Sequence, residues 1–408
     1  KIYNRRRIHV GNCAQLGIDG THRVYRPIAL GGDNQPVSFL DQTEFRIHNS
    51  CHDGLFKPVN SIRIGLIAGK DKASNFMQRV YKQVMDLKIE TVTSPLRAAF
   101  SISRGSKPEA VTVLVTLRDG EHIGRGECVP YPRYGETVES VTAQIETVRG
   151  QLEAGLSRDD LQSIIPAGAA RCAADCALWD LEAKRTGKTV WQLANLPPPQ
   201  PIDTAMTIGL DHPEAMGFAA RGCPGNLLKI KLGSDDDIAR MKAVHRARPD
   251  ARLIVDGNEA LDPGSFSDFA SAAHAAGVEM IEQPFPLGKD DALLAYVGQV
   301  PVCADESAHT RADIDALSER YHMVNIKLDK TGGLTEALSM QRAAREAGMG
   351  VMVGCMVAGS ISMAPAVLLG QLAEFVDVDG PTWLANDTEY GLRFEDGKVY
   401  PPTAALWG

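Results

Sequence analysis

Acidic side chains end three successive apolar segments in the second half of the chain. Asp256, Glu282 and Asp305 each follow a short apolar run, at separations of 26 and 23 residues. If these runs are neighbouring strands of a parallel barrel, their carboxyl ends meet at one face and the three carboxylates converge. Three carboxylates with water suit Mg²⁺, whereas without a cation they would repel one another and take up protons. The spacing therefore predicts one magnesium ion in the site.

Lysines occur at two further positions of the same series. Lys229 and Lys231 lie in the second apolar segment, and Lys327 ends the sixth. In a ring of eight strands the second and sixth face each other, so a substrate carbon between them has an amine on each side. One lysine can remove a proton beside a carboxylate while the other returns one to the opposite face, which inverts the centre. A divalent cation would stabilise the enediolate, and with the ammonium group of Lys229 it would lower the pKa of the base.

Each of these residues also has a structural interpretation. An aspartate after a strand is often a turn residue or a helix cap, and a lysine near a strand end often lies in solvent. The complete set is harder to explain in this way, because one ionisable residue recurs at intervals of 22 to 26 residues from Lys231 to Lys327.

The segments that would position these residues alternate between strand and helix patterns. Helical stretches such as 235–247, 265–276, 312–320 and 334–347 separate short apolar strands, which is typical of a TIM-like barrel. No helical pattern follows the eighth strand, so we predict an α/β fold with a (β/α)7β barrel over residues 201–380. A tail, 381–408, would return to the preceding domain. The predicted strands are 204–208, 227–231, 253–256, 278–282, 302–305, 323–327, 350–354 and 375–377.

Residues 87–200 have a different pattern and predict an α+β capping domain. Strands are expected at 88–92, at 111–117 and near Ile123, followed by helices over 139–152 and 167–185. Gly187 ends the second helix, and the proline-rich linker 197–201 cannot continue one.

Residues 1–86 form an unrecognised N-terminal extension. They hold 13 Lys and Arg against 7 Asp and Glu, whereas the whole chain has a net charge of −8. A strand is expected over 62–68. The cluster of His48, Cys51 and His52 is better explained as loop chemistry than as a metal site.

Composition excludes several classes of function. The net charge of −8 argues against a nucleic-acid-binding protein, and no apolar run is long enough to span a membrane. The eight cysteines are scattered without a CxxC pair, which favours a reduced, cytoplasmic protein. The sequence leaves the oligomeric state open, and a homo-oligomer is compatible with it.

Five segments together resemble the muconate-lactonizing branch of the enolase superfamily. They are 229–231 (KIK), 256–259 (DGNE), 281–284 (IEQP), 304–307 (ADES) and 325–333 (NIKLDKTGG). The resemblance covers residues 87–408 and implies an enolase-like barrel and cap. It further implies that Lys231 and Lys327 are the catalytic acid/base pair and that Asp256, Glu282 and Asp305 bind Mg²⁺.

A narrower resemblance concerns the substrate. The segment 376–381 (VDVDGP) is similar to the DxD of dipeptide epimerases, in which Asp377 and Asp379 would bind the substrate's ammonium group. Segments 100–105 and 126–136 are similar to capping-domain loops of bacterial L-Ala-D/L-Glu epimerases, which implies substrate binding by Arg104 and Tyr134, with Lys229 in the same pocket. Arg104 would hold a glutamate side-chain carboxylate. The segment 354–360 departs from many relatives, which carry an acid near Ala358.

The resemblance implies an isomerase that epimerises a dipeptide such as L-Ala-D/L-Glu, a reaction of murein peptide breakdown and peptidoglycan recycling. Alternatives in the same superfamily are an N-acylamino-acid racemase, a cycloisomerase and an o-succinylbenzoate synthase. None of their substrates needs a pair of aspartates for a free ammonium group, so Asp377 and Asp379 favour the epimerase. A non-catalytic relative that only binds a small ligand is disfavoured because no expected lysine or acid is missing.

Overall fold

The computed structural model describes residues 85–102, 105–233 and 236–408, and five strands of the N-terminal part. The chain divides into two compact units, Lys1–Lys82 and Gln83–Gly408. In the first unit, one antiparallel sheet contains β1 (Arg6–Val10), β2 (Ala14–Ile18) and β3 (Val24–Ala29), and a second contains β4 (Asp41–Phe45) and β5 (Ile62–Leu66). The strand predicted over 62–68 is found at β5, and His48, Cys51 and His52 lie outside the described residues.

The second unit begins with a three-stranded antiparallel sheet, β6 (Asp86–Ile102), β7 (Gly105–Asp119) and β8 (His122–Cys128). Val113, Val115 and Leu117 alternate along β7 and are fully buried, so one face of the sheet packs into the core. The helices that follow are α1 (Val138–Glu146), α2 (Arg149–Glu153), α3 (Arg158–Ile164), α4 (Ala169–Thr186) and α5 (Val190–Leu193).

Glycine allows β8 to lie directly on α4. A Cβ atom at Gly126 would stand 2.1 Å from the carbonyl oxygen of Ala173, so any larger residue would push the sheet off the helix. Gly187 ends α4 with a left-handed φ of 67°, as predicted from the sequence.

The prediction of one helix over 139–152 is wrong in one respect, because this segment forms two helices, α1 and α2. Val148 leaves the helical conformation, with φ −112° and ψ 6°. Beside it, the hydroxyl of Thr147 donates to Gln144 O at 2.7 Å, a local bond that competes with the regular helix pattern.

Eight parallel strands form the barrel, in sequential order. The ring closes where the Ala205 N–H donates to Val376 O at 2.7 Å. Inside it lie Ala205, Leu227, Ile254, Met280, Cys303, Met323, Met352 and Phe375. The strands are β10 (Met206–Ile208), β11 (Leu227–Lys231), β12 (Arg252–Asp256), β13 (Val278–Glu282), β14 (Val302–Ala304), β15 (Met323–Ile326), β16 (Gly350–Val353) and β17 (Phe375–Val376).

Helices lie between the barrel strands, but not regularly. Only a short 3-10 helix, Asp291–Ala295, follows the fourth strand, and another, Arg311–Asp313, precedes the helix after the fifth strand. A four-residue helix follows the eighth strand, where none was expected. The α-helices are α6 (Pro213–Gly222), α7 (Asp237–Ala247), α8 (Phe266–Ala275), α9 (Ile314–Ser318), α10 (Leu328–Thr331), α11 (Leu334–Glu346), α12 (Ser360–Gly370) and α13 (Gly380–Trp383).

The barrel with its α+β cap confirms the predicted fold class. The C-terminal tail contacts the cap: the indole N–H of Trp407 donates to Arg125 O at 2.9 Å and the Gly408 N–H to Asp180 Oδ1 at 2.8 Å. A small sheet joins β18 (Phe394–Glu395) and β19 (Lys398–Val399) to β9 (Ile202–Asp203). Among the described helices, none has the length and apolar character needed to cross a membrane.

Candidate active site

The strand ends bring the predicted acids to one face of the barrel. In the parallel register Lys231 stands beside Asp256, Asp256 beside Glu282, and Glu282 beside Cys303. Asp305 follows Cys303 by two residues, so its side chain points in the same direction. The three carboxylates are buried, with at most 2% of each residue exposed.

Lys229 lies at the centre of the site. Its Nζ is 2.7 Å from Glu282 Oε2, 2.8 Å from Asp377 Oδ2 and 3.1 Å from Asp256 Oδ2. The residue is 1% exposed, so the ammonium group depends on these carboxylates for compensation. Lys231 also contacts Asp256, from the side of the barrel mouth, with its Nζ 2.6 Å from Asp256 Oδ2.

Two lysines share the carboxylate of Asp305. Lys327 Nζ is 2.6 Å from Oδ2, and Lys330 Nζ is 2.6 Å from Oδ1. Lys330 also donates to the main-chain carbonyls of Asp305 and Asn325. Lys327 and Lys231 therefore extend from the facing sixth and second barrel strands, as expected, and each contacts a different acid.

Burial and the neighbouring charges shift the pKa values of the three acids in different directions. Burial, and then repulsion by Asp256 and Asp305, raises the pKa of Glu282 to about 7, although Lys229 opposes the shift. Burial also raises the pKa of Asp256, but Lys231 and Lys229 outweigh it and the net shift is downward. For Asp305 burial is likewise outweighed, by Lys327 and Lys330, which lower its pKa well below the usual range.

The pKa of Lys327 differs from the lowered value expected for a base. Burial favours its neutral form, but the charges of Asp305 and Glu282 raise its pKa well above the ordinary value. The two carboxylates therefore favour the charged form of Lys327 in this arrangement.

The donor set fits a divalent ion of the Mg²⁺ type. Asp256, Glu282 and Asp305 offer carboxylate oxygens from adjacent strands, the ligands that Mg²⁺ prefers. Glu282 Oε1 accepts a hydrogen bond from Asn325 Nδ2 at 2.7 Å, whereas Oε2 accepts none, although the ammonium group of Lys229 is near. In the described part of the chain no three His, Cys, Asp or Glu side chains form a ready coordination cluster. Lysine ammonium groups contact these oxygens instead, so metal binding requires the lysine side chains to move.

The two aspartates of strand eight have different partners. Asp377 binds Lys229 through Oδ2, and its buried Oδ1 accepts no hydrogen bond. Asp379 Oδ2 accepts the Thr207 N–H at 2.9 Å and the indole N–H of Trp383 at 3.3 Å. Burial and the charge of Asp377 raise the pKa of Asp379 to about 6. This pair is an acceptor of hydrogen bonds and positive charge.

The end of strand seven faces the same aspartates. Burial, followed by the charges of Asp377 and Asp379, raises the pKa of the Cys355 thiol well above its usual value. Ala358, in the segment that follows this strand, is fully buried.

Tyr134 comes from the cap. It ends a 3-10 helix, Pro132–Tyr134, and its ring lies edge-on to His309, with the centroids 4.7 Å apart. Burial and the charge of Asp305 raise the pKa of its phenol, which indicates that Tyr134 lies near the barrel mouth. A cavity of about 350 Å³ adjoins Tyr134, His309 and Lys330. Arg104, the other predicted cap residue, lies outside the described residues.

Sequence reasoning missed several residues of the site. Lys330 lies in the quoted segment 325–333, but only Lys327 was given a role there. The available signal was a second lysine three residues after Lys327. Arg133 was also missed: its guanidinium binds Glu259 at 2.7 and 3.0 Å and so joins the cap loop to the loop after strand three. No local pattern distinguishes Arg133 from a solvent-exposed arginine.

The cap is also bonded to the peptide that follows Lys327. Asp329 Oδ1 accepts the Val129 N–H at 2.8 Å. The buried Arg171 donates to Thr331 O at 2.6 Å and to Gly332 O at 3.2 Å. The cap therefore contacts the barrel directly beside a predicted catalytic lysine.

Known proteins share this arrangement of domains. A family model described as mandelate racemase/muconate lactonizing enzyme, N-terminal domain, matches residues 84–194, and one described as enolase C-terminal domain-like matches residues 214–405. L-Ala-D/L-Glu epimerase of Escherichia coli K12 is 46% identical over 309 residues, covering 75% of this chain and 96% of that protein. N-acetyl-D-glutamate racemase of Pseudoalteromonas sp. is 41% identical over 300 residues, covering 72% and 95%.

Solved structures are similar over the same region. An enolase family member from Agrobacterium tumefaciens, described as homologous to dipeptide epimerases and solved with sodium and L-Ala-L-Glu, is 47% identical with a TM-score of 0.77. The match covers 79% of this chain and 100% of the Agrobacterium chain. A dipeptide epimerase from Methylococcus capsulatus, solved with Mg and L-Arg-D-Lys, is 31% identical with a TM-score of 0.72 and covers 78% and 96%.

Proposed function

Since this chain belongs to the enolase superfamily and is an isomerase, as its sequence predicted, we propose that it is a Mg²⁺-dependent dipeptide epimerase. It inverts the α-carbon of the C-terminal residue, and L-Ala-D-Glu and L-Ala-L-Glu are the best-fitting pair. The observation that carries the proposal is the placement of Lys231 and Lys327 on facing strands beside buried acids.

The proposed ion would be held by Asp256, Glu282 and Asp305, one ion in each site. When bound, it supplies a Lewis acid that stabilises negative charge on the substrate's carboxylate. Magnesium in the structure of the Methylococcus relative supports this choice. Two of these carboxylates, Asp256 and Asp305, now contact Lys231 and Lys327, so their recruitment by a cation would free both amines for proton transfer.

Inversion then follows from the positions of the two lysines. One amine removes the α-proton on its side of the carbon, and the opposite ammonium group delivers a proton to the other face. The direction of reaction decides which lysine is the base. Lys229, which is 1% exposed and adjoins the proposed ligands Asp256 and Glu282, would contribute a fixed positive charge for the substrate's carboxylate.

Charge matching supports a dipeptide with an acidic C-terminal residue. Asp377 and Asp379 would bind the free ammonium group, because Asp377 Oδ1 is buried without a hydrogen-bond donor. Arg104 would bind the side-chain carboxylate of glutamate, and Tyr134 would line the pocket from the cap. L-Ala-L-Glu in the Agrobacterium structure supports the same choice.

A role in murein peptide breakdown and a cytoplasmic location belong to the same proposal. Murein peptide breakdown would supply L-Ala-D-Glu as the substrate. The cysteines in the described part of the chain, Cys128, Cys172, Cys176, Cys223, Cys303 and Cys355, are all free thiols. This supports a reducing compartment.

A second candidate is racemisation of an N-acylated amino acid. The relative named N-acetyl-D-glutamate racemase, 41% identical, favours it. Such a substrate shares the α-carboxylate and the glutamate side chain but has a neutral amide in place of the ammonium group. The two candidates therefore differ at Asp377 and Asp379, and not at the lysines.

The test is a screen for α-proton exchange in D₂O with Mg²⁺, followed by ¹H NMR, over a small dipeptide library and N-acetyl-D-glutamate. We expect the highest kcat/KM for L-Ala-D-Glu and L-Ala-L-Glu. A higher kcat/KM for the acetylated compound would move the assignment to the second candidate. No exchange with any compound would reject both.

A further inference from the structure

The parallel ladder between barrel strands four and five breaks directly after Glu282. The Gln283 N–H still donates to Cys303 O at 2.9 Å, as in a regular ladder. Continuation by one step would pair the Asp305 N–H with the main-chain carbonyl of Gln283. That carbonyl instead accepts the Glu259 N–H at 2.9 Å, because Gln283 has a left-handed φ of 31°.

The side chain of Gln283 replaces the missing carbonyl. Its Oε1 accepts the Asp305 N–H at 2.7 Å and the Ser307 N–H at 3.1 Å. Its Nε2 donates to Phe285 O and Ser307 Oγ, both at 2.9 Å, and to the phenol oxygen of Tyr321 at 3.1 Å. Gln283 is fully buried, so water does not compete for these partners, and loss of the amide would leave the Asp305 and Ser307 N–H groups without their acceptor.

The strained backbone and the amide therefore act together. A positive φ costs free energy in a residue other than glycine and persists only where surrounding contacts enforce it. Here the positive φ joins the peptide after Glu282 to the loop after strand three, through Glu259. The side chain of Gln283 joins the same peptide to the end of strand five, through Asp305. Strands three, four and five carry the three proposed metal ligands.

We propose that Gln283 is a positioning residue that fixes Glu282 and Asp305 relative to each other for divalent-cation binding. The inference rests on the proposed function, whose Mg²⁺ site uses these carboxylates. Glu282 is the chain neighbour of Gln283, and the Asp305 backbone is held by its side chain, so one residue controls both ligands. Residues that orient metal ligands typically change affinity about 10- to 100-fold when they are replaced.

The test measures cation affinity in the full chain without substrate. Mg²⁺ is titrated by calorimetry, and Mn²⁺ binding is followed by electron paramagnetic resonance. Gln283→Met keeps the length of the side chain and removes both polar groups, whereas Gln283→Asn keeps the amide but shortens its reach. Tyr321→Phe is the matched control. It removes the phenol oxygen that accepts a hydrogen bond from Gln283 Nε2, but it leaves the bond from the Asp305 N–H to Gln283 Oε1 intact. Circular dichroism and thermal unfolding establish that each variant is folded.

We expect Gln283→Met and Gln283→Asn to lower the affinity about 10- to 100-fold, and Tyr321→Phe to lower it less than about threefold. If Gln283→Met does not fold, Gln283→Asn decides. A folded Gln283 variant with wild-type affinity, or an equal loss in Tyr321→Phe, would overturn the inference and leave the proposed function standing. Failure of the wild type to bind either ion would remove the metal site of the proposed function and this inference with it.

Discussion

Replacement of Asp379 by asparagine should separate the two candidate functions. Asp379 is 5% exposed, so solvent screens its charge little. Its Oδ2 accepts N–H groups of Thr207 and Trp383, and an asparagine carbonyl can accept the same two bonds. Asp379→Asn should therefore remove the charge while the local structure is kept.

The magnitude follows from the type of hydrogen bond. A bond between charged partners contributes about 1.5–3 kcal/mol, against about 0.5–1.5 kcal/mol for neutral partners. Asp377 would remain as a partner for the ammonium group, so the expected loss is the difference between the two kinds of bond, about 1–1.5 kcal/mol, a fall of about 5- to 13-fold in kcat/KM for L-Ala-D-Glu. N-acetyl-D-glutamate, with its neutral amide, should lose less than about threefold.

The assay compares kcat/KM for both compounds by polarimetry with Mg²⁺. If the wild type does not turn over the acetylated compound, its inhibition constant is measured instead. Asp180→Asn is a control outside the proposed site: Asp180 is a buried aspartate that accepts the backbone N–H groups of Arg125 in the cap and Gly408 in the C-terminal tail and pairs with Lys184. A loss of equal size for both compounds, or no loss for the dipeptide, would refute the assignment of the ammonium group to Asp379.

Three further predictions follow from the site. EDTA should abolish turnover and Mg²⁺ should restore it, and Asp256→Asn should remove most activity while the circular dichroism spectrum stays unchanged; full activity after exhaustive chelation would contradict the metal site. Lys231→Ala should stop epimerisation but keep α-proton exchange for one stereoisomer, and Lys327→Ala should keep it for the other; loss for both isomers in each variant would refute the two-base assignment. A chain that starts at Gln83 retains the buried Met85. It should fold and keep kcat/KM within about threefold, which corresponds to a change of less than about 1 kcal/mol in transition-state free energy. Insoluble or inactive protein would show that residues 1–82 complete the fold or the site.

The sequence predicted the barrel well because its signal is local and repeated. Each strand is a short apolar run, and the observed strands Leu227–Lys231 and Val278–Glu282 match the predicted bounds. The acids at the strand ends were predicted for the same reason, since a residue that ends a parallel strand must lie at the carboxyl face of the barrel.

Interactions between distant parts of the chain were not predictable in this way. Lys229 contacts Asp377, which is 148 residues away, and no local window contains both. The role of Gln283 depends on a left-handed backbone angle that glutamine seldom adopts, so its type gave no warning. The break between α1 and α2 depends on Val148, whose apolar character fits the predicted continuous helix equally well.

The cap and the barrel are joined at two sides of the barrel mouth, each beside a residue with a proposed role in the reaction. On one side Val129 of the cap binds Asp329, two residues after Lys327. On the other side the Ala385 N–H donates to Pro95 O of the cap at 2.8 Å. Phe100 of the same cap strand packs its ring on Trp383. Trp383 in turn donates to Asp379. Because each side of the mouth holds both a cap contact and a proposed functional residue, displacement of the cap would disturb both Lys327, the proposed acid/base, and Asp379, the proposed partner of the ammonium group. Residues 83–408 accordingly form one compact unit.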